Sequence, residues 1–326
     1  MPPAIELRAL TKTFGPKRAV DALDLVIPEG SLHGFIGPNG AGKTTTIRMI
    51  MSILFPDSGE ISVLGRRSAV ESKDRIGYLP EERGVYKKMR VGPFLMYMAR
   101  LKGVDGAGLE ARVRAWLDKV SLPGVFRKRC EELSKGMQQK VQFIAAVIHE
   151  PDLLILDEVF SGLDPVNARL VRDLIDEQHA QGRTIIFSTH QMSQAEALCD
   201  RVVMIHQGRK VLDNTPAEIR SRFDPRAIAL EPADPAFDRA ALRMPGVDSV
   251  TERKGHVEVY LSPRTDASDM IPRLAAAVPV RRIEVIRPSL EDVFIDIVQS
   301  STTPEERELL VASLKAPRPL ADAAAD

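Results

Sequence analysis

The sequence predicts an α/β core interrupted by helices and followed by a small α+β domain, and three observations carry that prediction. The stretches "SLHGFIG", "DLLILDE" and "RTIIFSTH" are short continuous apolar runs, as expected of parallel strands covered on both faces. Between the first and second of them, residues from about 84 to 150 read mostly as helix. After about Glu218 the long apolar runs give way to short alternating segments separated by helical patterns.

Taken in order, Ile5 to Leu7 and Leu23 to Ile27 read as strands leading to "SLHGFIG", which ends in a glycine loop and a helix beginning "KTTTIRMIMSIL". The helical insertion contains "VGPFLMYMARLKG", "LEARVRAWLDKVSL" and then "LSKGMQQKVQF", where Ser134 is a natural N-cap for a helix spaced by Val141, Ile144, Ala145 and Ile148. "DLLILDE" and "RTIIFSTH" return the chain to the sheet, and "RVVMIHQGRKVL" adds a strand with a Gln-Gly turn. In the second domain "RAIALEP", "DSVTER", "HVEVYLS" and "RRIEVIR" read as strands, with helices around Phe237 to Met244 and Asp269 to Ala277. The last helix, "SLEDVFIDIVQS", has an N-cap in Ser289 and an acidic first turn. From Ser301 the composition of Ala, Pro and charge reads as a disordered tail, within which "ELLVASL" is the only helix-like piece.

The totals bound the function. At 326 residues the chain is long enough for one large domain and a small one. Forty-five basic residues balance 45 acidic ones, so no net field draws it to nucleic acid or to an anionic membrane. Two cysteines in unrelated contexts, Cys130 and Cys199, read as thiols and supply no metal cluster. The N-terminus lacks the apolar core of an export signal, and nowhere do about 18 apolar residues run together as a membrane span would need.

The chemistry is concentrated in "GPNGAGKTT", which fits G-x-x-x-x-G-K-[ST] between a predicted strand and a predicted helix. Such a loop, here Gly37, Pro38, Asn39, Gly40, Ala41, Gly42, Lys43, Thr44 and Thr45, turns backbone N–H groups around phosphates at a helix N-terminus. Lys43 is placed to reach the outer phosphates and Thr44 to ligate Mg²⁺. Asp157, closing an apolar strand, is expected to meet the same Mg²⁺. The pleat is expected to turn Glu158 the other way, toward an attacking water. His190 ends another strand, where it suits orienting a phosphate or a water, although a lone histidine equally serves as a satisfied polar group.

In their order, "GPNGAGKTT", "LSKGMQQK", "LLILDE", "SGLD" and "STH" resemble the ATP-binding cassette (ABC) ATPases over about residues 3 to 220. The resemblance implies a P-loop NTPase core at 1–220 with its helical subdomain at about 84–150, an accessory α+β domain at 221–300 and a tail at 301–326. It implies ATP and Mg²⁺ as ligands, Glu158 as general base with Lys43 and His190 beside it, and Phe14 stacked on adenine, the alternative for Phe14 being a core residue. It also implies that Ser134 and Gly136 contact the ATP held by a second ATPase subunit, and that Asp164 of "SGLD" lies at the dimer interface.

Three positions depart from the family's usual residues: Lys135, Met137 and Glu81, the last standing where a glutamine that touches Mg²⁺ or its water is common. A carboxylate at 81 retains metal-ligating capacity and adds negative charge beside a triphosphate. The family offers membrane-transporter subunits and soluble machines acting on ribosomes or nucleic acid. One phosphate loop, no coiled-coil heptads and no basic excess favour the transporter, with a separately encoded permease, no nucleic-acid partner and a location at the cytoplasmic side of the cell membrane. "RPSLEDVFIDIV" and "GYLPEERGVYKKM" resemble bacterial ABC-2-type exporter ATPases of the sodium-extrusion and drug-efflux kind. Val85, Tyr86 and Met89, flanked by Arg83, Lys87 and Lys88, suit either a permease-docking pocket with a basic rim or packing inside the helical insertion.

Overall fold

Two long strands open the chain, β1 (Pro3–Phe14) and β2 (Lys17–Pro28), each twelve residues and much longer than the segments their apolar runs suggest. Both hide an alternating set, Ile5 and Leu7 on β1 and Leu23, Leu25 and Ile27 on β2, while the residues between them reach solvent. The computed structural model describes residues 2–299 apart from Arg83, Asp224, Pro225, Pro235 and Lys254, so the tail expected at 301–326 lies outside the described residues. The described chain divides into two compact units, Met1–Pro216 and Ala217–Ser300.

In the first unit β3 (Leu32–Ile36) is fully buried and leads through the glycine loop to α1 (Lys43–Ile50). β4 (Ser58–Val63) pairs antiparallel with β1, giving a three-stranded sheet in the order β2-β1-β4, and β5 (Ile76–Leu79) follows. The helical insertion comprises α2 (Val91–Leu101), α3 (Leu109–Lys119) and α4 (Lys135–Val147), held together by buried side chains such as Phe94, Leu95, Val113, Leu117 and Phe143. The remaining elements are β6 (Leu153–Asp157), α5 (Pro165–Ala180), β7 (Thr184–Thr189), α6 (Met192–Leu198), β8 (Arg201–His206) and β9 (Arg209–Asn214).

These strands form a six-stranded sheet in the order β5-β6-β7-β3-β8-β9, parallel except for β9. The sheet is not clad by helices on both faces as the apolar runs suggest. On one side α1 and the antiparallel sheet share a core with it, in which Leu7, Leu25, Ile47, Ile50, Ile155 and Ile186 are all buried. Each such side chain contributes about 1.5–3 kcal/mol on burial, which binds the two sheets into one body. The register aligns the carboxyl ends of the central strands: Leu79 pairs with Leu156, Asp157 with Ser188, and Ile36 with Thr189. Residues that follow these strands therefore emerge along one edge, where an open α/β sheet presents its ligand site.

The second unit begins within α7 (Pro216–Arg222) and contains β10 (Ala227–Pro232), β11 (Val247–Arg253), β12 (His256–Leu261), α8 (Ala267–Ala277), β13 (Val280–Val285) and α9 (Leu290–Gln299). Its strands form an antiparallel sheet in the order β11-β12-β10-β13. Period-two alternation sends Val257, Val259 and Leu261 into a core with Ile228, Leu230, Met270 and Leu274. The helix expected over Phe237 to Met244 is only a 3₁₀ turn, Arg239–Leu242, capped by the Asp238 side chain on Ala240 N–H. Ser289 and Asp292 bond reciprocally at the start of α9, which is the cap the sequence predicts.

Candidate functional site

The glycine loop owes its path to close backbone contacts. Gly37 and Gly42 have φ of 148° and 111°, and a Cβ on either would sit 2.2 Å from the Ile205 carbonyl or 2.4 Å from the Ala19 carbonyl. Only glycine accepts both the conformation and the space. Gly42 then caps α1, whose first turn carries no acidic residue, leaving a helix N-terminus open to an anion. Lys43 is buried, and its Nζ donates to the carbonyls of Gly37 at 2.7 Å and Pro38 at 3.1 Å, so the ammonium lies inside the loop.

A hollow of about 260 Å³ opens over this loop, lined by Asn39 to Thr45 and by Phe14, Lys17, Glu81 and Glu158. Phe14 stands at it 50% exposed with Lys12 Nζ 5.7 Å from its ring centroid, so it is not a core residue. A larger hollow, about 560 Å³, lies among Glu6, Arg8, Met49 and Phe55, but it contains neither a glycine loop nor the strand-end carboxylates. Chemistry rather than size therefore identifies the site. Lys17 and Ala19 also line it, and no motif in the sequence marks them; only a short turn connects them to Phe14.

Asp157 ends β6 with no solvent exposure. One carboxylate oxygen, Oδ1, accepts from the Ser188 hydroxyl of the neighbouring strand, and the other, Oδ2, meets no partner in hydrogen-bond geometry. Burial pushes this carboxyl above its ordinary range; the Ser188 hydroxyl opposes that, Glu158 adds to it, and the Thr44 hydroxyl and Lys43 oppose it in turn. A buried carboxylate with an unsatisfied oxygen beside a threonine hydroxyl fits a divalent cation, so the residues present suit Mg²⁺.

Glu158 does not continue the pleat. β6 stops at Asp157, and Glu158 takes a left-handed φ of 51°, so a kink rather than strand alternation aims its side chain. Its N–H still donates to Ser188 O at 3.1 Å, and its carbonyl accepts from Ser161 N at 2.9 Å. The side chain is 8% exposed, and His190 Nδ1 lies 2.9 Å from its Oε2. Because a carboxylate only accepts, that contact requires the Nδ1 proton.

The structure thus gathers Phe14, the loop, Glu81, Asp157, Glu158 and His190. It does not bring Ser134, Gly136 or Asp164 into the same hollow. Ser134 is exposed and caps α4, accepting from Met137 N at 3.3 Å. Asp164 caps α5, accepting from Val166 N at 3.0 Å and Asn167 N at 2.9 Å, and those bonds, the Asn167 N–H foremost, hold its carboxyl below the usual range. Of the residues considered for docking, Val85 is buried and Met89 half-buried, whereas the Tyr86 ring is exposed and stands edge-on to Phe94 and Tyr97, each at 6.0 Å. Arg83 lies outside the described residues. Cys130 and Cys199 are buried free thiols, and among the described residues no helix is long and apolar enough to cross a membrane.

Comparison with known proteins agrees with this geometry. Residues 20–161 match the ABC transporter family, and residues 215–298 match the C-terminal domain of DrrA1-3-like ATP-binding proteins. The chain is 40% identical over 289 residues to the uncharacterized ABC transporter ATP-binding protein YhaQ of Bacillus subtilis, covering 89% of this chain and 96% of that one. It is 34% identical over 303 residues to the Nod factor export ATP-binding protein I of Burkholderia lata, covering 89% and 95%. A solved ATP-binding subunit of an ABC transporter superposes with a TM-score of 0.63 at 33% identity, covering 68% of this chain and 93% of that one. The chain therefore belongs to the ATP-binding subunits of ABC transporters, and it is an ATPase.

Proposed function

We propose that this chain hydrolyses ATP as one of two ATPase subunits that drive a separately encoded exporter permease from the cytoplasmic side of the membrane. The observation that carries the two-subunit reading is the incompleteness of the site in one chain: the loop, Asp157 and Glu158 converge, while Ser134 on its helix N-terminus faces solvent elsewhere. A second copy, or a related chain, facing the first would present Ser134 and Gly136 to the outer phosphate held by Lys43, with Asp164 near the seam.

In this reading the loop N–H groups and Lys43 bind the phosphates, and Phe14 supports the base. Thr44 and Asp157, with Glu81 alongside, would hold Mg²⁺, which when bound neutralises phosphate charge. Glu158 takes the proton of the attacking water, and His190 holds the Glu158 carboxylate in place through Nδ1. Contacts on both sides of one nucleotide make its binding close the dimer, and loss of the outer phosphate releases it. The exposed Tyr86 and Tyr97 rings offer the permease an aromatic contact on the helical insertion, with Lys87 and Lys88 beside it. The relative from Burkholderia lata, named for Nod factor export, supports an outward direction. The unit from Ala217 to Ser300 serves as an accessory domain.

The test is to purify the tagged full chain from native membranes in detergent and identify what accompanies it. A stoichiometric protein with several membrane spans that stimulates the ATPase is the expected result. Recovery with ribosomes or nucleic acid, and no membrane protein, would overturn the transport role and establish a soluble ABC machine.

A further inference from the structure

The amide run in "LSKGMQQKVQF" carries more than a helix start. Gln138 Nε2 donates back to the carbonyls of Cys130 at 3.2 Å and Leu133 at 3.1 Å, which fixes the approach to α4. Gln139, one residue on, is 5% exposed and points elsewhere: its Nε2 donates to the carbonyl of Val159 at 3.1 Å, across twenty residues of sequence. Val159 directly follows Glu158. The same bond therefore fixes the chain just beyond the left-handed Glu158, a conformation that costs a non-glycine residue energy and needs its surroundings to hold it.

Gly136 and Gln139 are three residues apart on α4 and so share a face. A Cβ on Gly136 would lie 3.7 Å from Leu163 and 3.7 Å from Asn167, so that face packs along the segment from Val159 to the start of α5. One end of this contact is the Ser134 to Gly136 turn, and the other end is the peptide after Glu158. α4 is a regular helix of 13 residues, which moves as a rod and cannot absorb a shift of its first turn without passing it on.

We propose that Gln139 is a positioning residue that transmits the engagement of Ser134 and Gly136 by a partner copy's nucleotide to this chain's own Glu158, through the Val159 carbonyl. This rests on the two-subunit reading above. Each subunit's base is then set for hydrolysis when its own Ser134 to Gly136 turn is occupied by the partner's nucleotide.

The test is a double-mutant cycle on the full-length chain, with steady-state ATPase and direct ATP binding measured for wild type, Gln139→Met, Ser134→Ala and the double variant. Loss of one hydrogen bond to a buried carbonyl near the base should lower kcat about tenfold in Gln139→Met, with KM for ATP moved by less than about twofold. In the Ser134→Ala background the same change should cost less than about twofold, because there is no engagement left to transmit. Equal losses in both backgrounds, or a KM that rises in step with the loss of kcat, would reduce Gln139 to a structural contact and overturn the proposal. Should Gln139→Met fail to fold, Gln139→Glu keeps the volume, sets a carboxylate against the carbonyl and must give the same pattern. ATP-dependent dimerisation of Glu158→Gln, followed by light scattering, separates the two claims: a dimer with additive kcat effects removes the role of Gln139 alone. A persistent monomer, together with a Ser134→Ala variant that hydrolyses ATP as fast as wild type, removes the two-subunit reading and the relay with it.

Discussion

Replacing Glu158 by glutamine should separate nucleotide binding from turnover. The side chain is 8% exposed and its identified partner is His190 Nδ1 at 2.9 Å. A glutamine of the same size keeps an oxygen that accepts from that N–H, so the pocket and the kink at residue 158 persist. The charge-assisted bond becomes a neutral one, which costs about 1 kcal/mol of stability. What disappears is the capacity to take a proton. Positioned general bases contribute about 10²–10⁴ in rate, corresponding to about 2.7–5.4 kcal/mol of transition-state stabilisation. Single-turnover hydrolysis at saturating ATP should fall by that factor, while ATP affinity by calorimetry moves by less than about threefold. Hydrolysis within about tenfold of wild type would refute Glu158 as the base and would direct attention to a water held by other groups.

Gly42→Ala should abolish ATP binding and lower the melting temperature, since its Cβ would meet the Ala19 carbonyl at 2.4 Å in a left-handed conformation; an unchanged calorimetric titration would show that the loop yields more than its contacts indicate. Glu81→Gln should change the Mg²⁺ concentration for half-maximal ATPase, because a charge beside the phosphates is removed; identical Mg²⁺ curves and rates would strip Glu81 of that role. His33 and His149 are buried, and burial lowers both pKa values from 6.5 to about 4. The unfolded chain then binds more protons between those values, so stability is complete above about pH 6.5 and falls as pH drops, by about 2 kcal/mol per histidine at pH 5. Urea melts of His149→Gln should show a shallower loss between pH 7 and 5 than wild type, and parallel curves would contradict the buried neutral imidazole.

What the sequence discloses depends on whether a feature is local. The glycine loop is legible because backbone conformation, phosphate contact and helix start fall within nine consecutive residues, and Asp157 because it ends an unbroken apolar strand. β4 and β5 leave no such mark. Ser58–Val63 is polar and mostly exposed, held as a strand by its pairing with β1, and Ile76–Leu79 is too short to show a period. The 3₁₀ turn in place of a helix near Phe237 reflects an apolar spacing that only one turn uses. Glu158 is recognisable from its neighbour, but its direction comes from a φ of 51°, which no side-chain pattern encodes. The Gln139 bond to Val159 joins segments separated by an entire strand, so in the sequence that glutamine is indistinguishable from the two amides near it.

These two illegible features meet at one peptide. The Glu158 carboxylate is aimed by a strained backbone, and a strained backbone keeps its conformation only while neighbouring contacts hold it. Here the holding contacts come from Ser188 on the adjacent strand and from α4 through Gln139, the same helix whose cap Ser134 and first residue Lys135 are exposed. A proposed base held this way is sensitive to whatever grips the first turn of that helix. A base fixed by strand geometry alone would be indifferent to it.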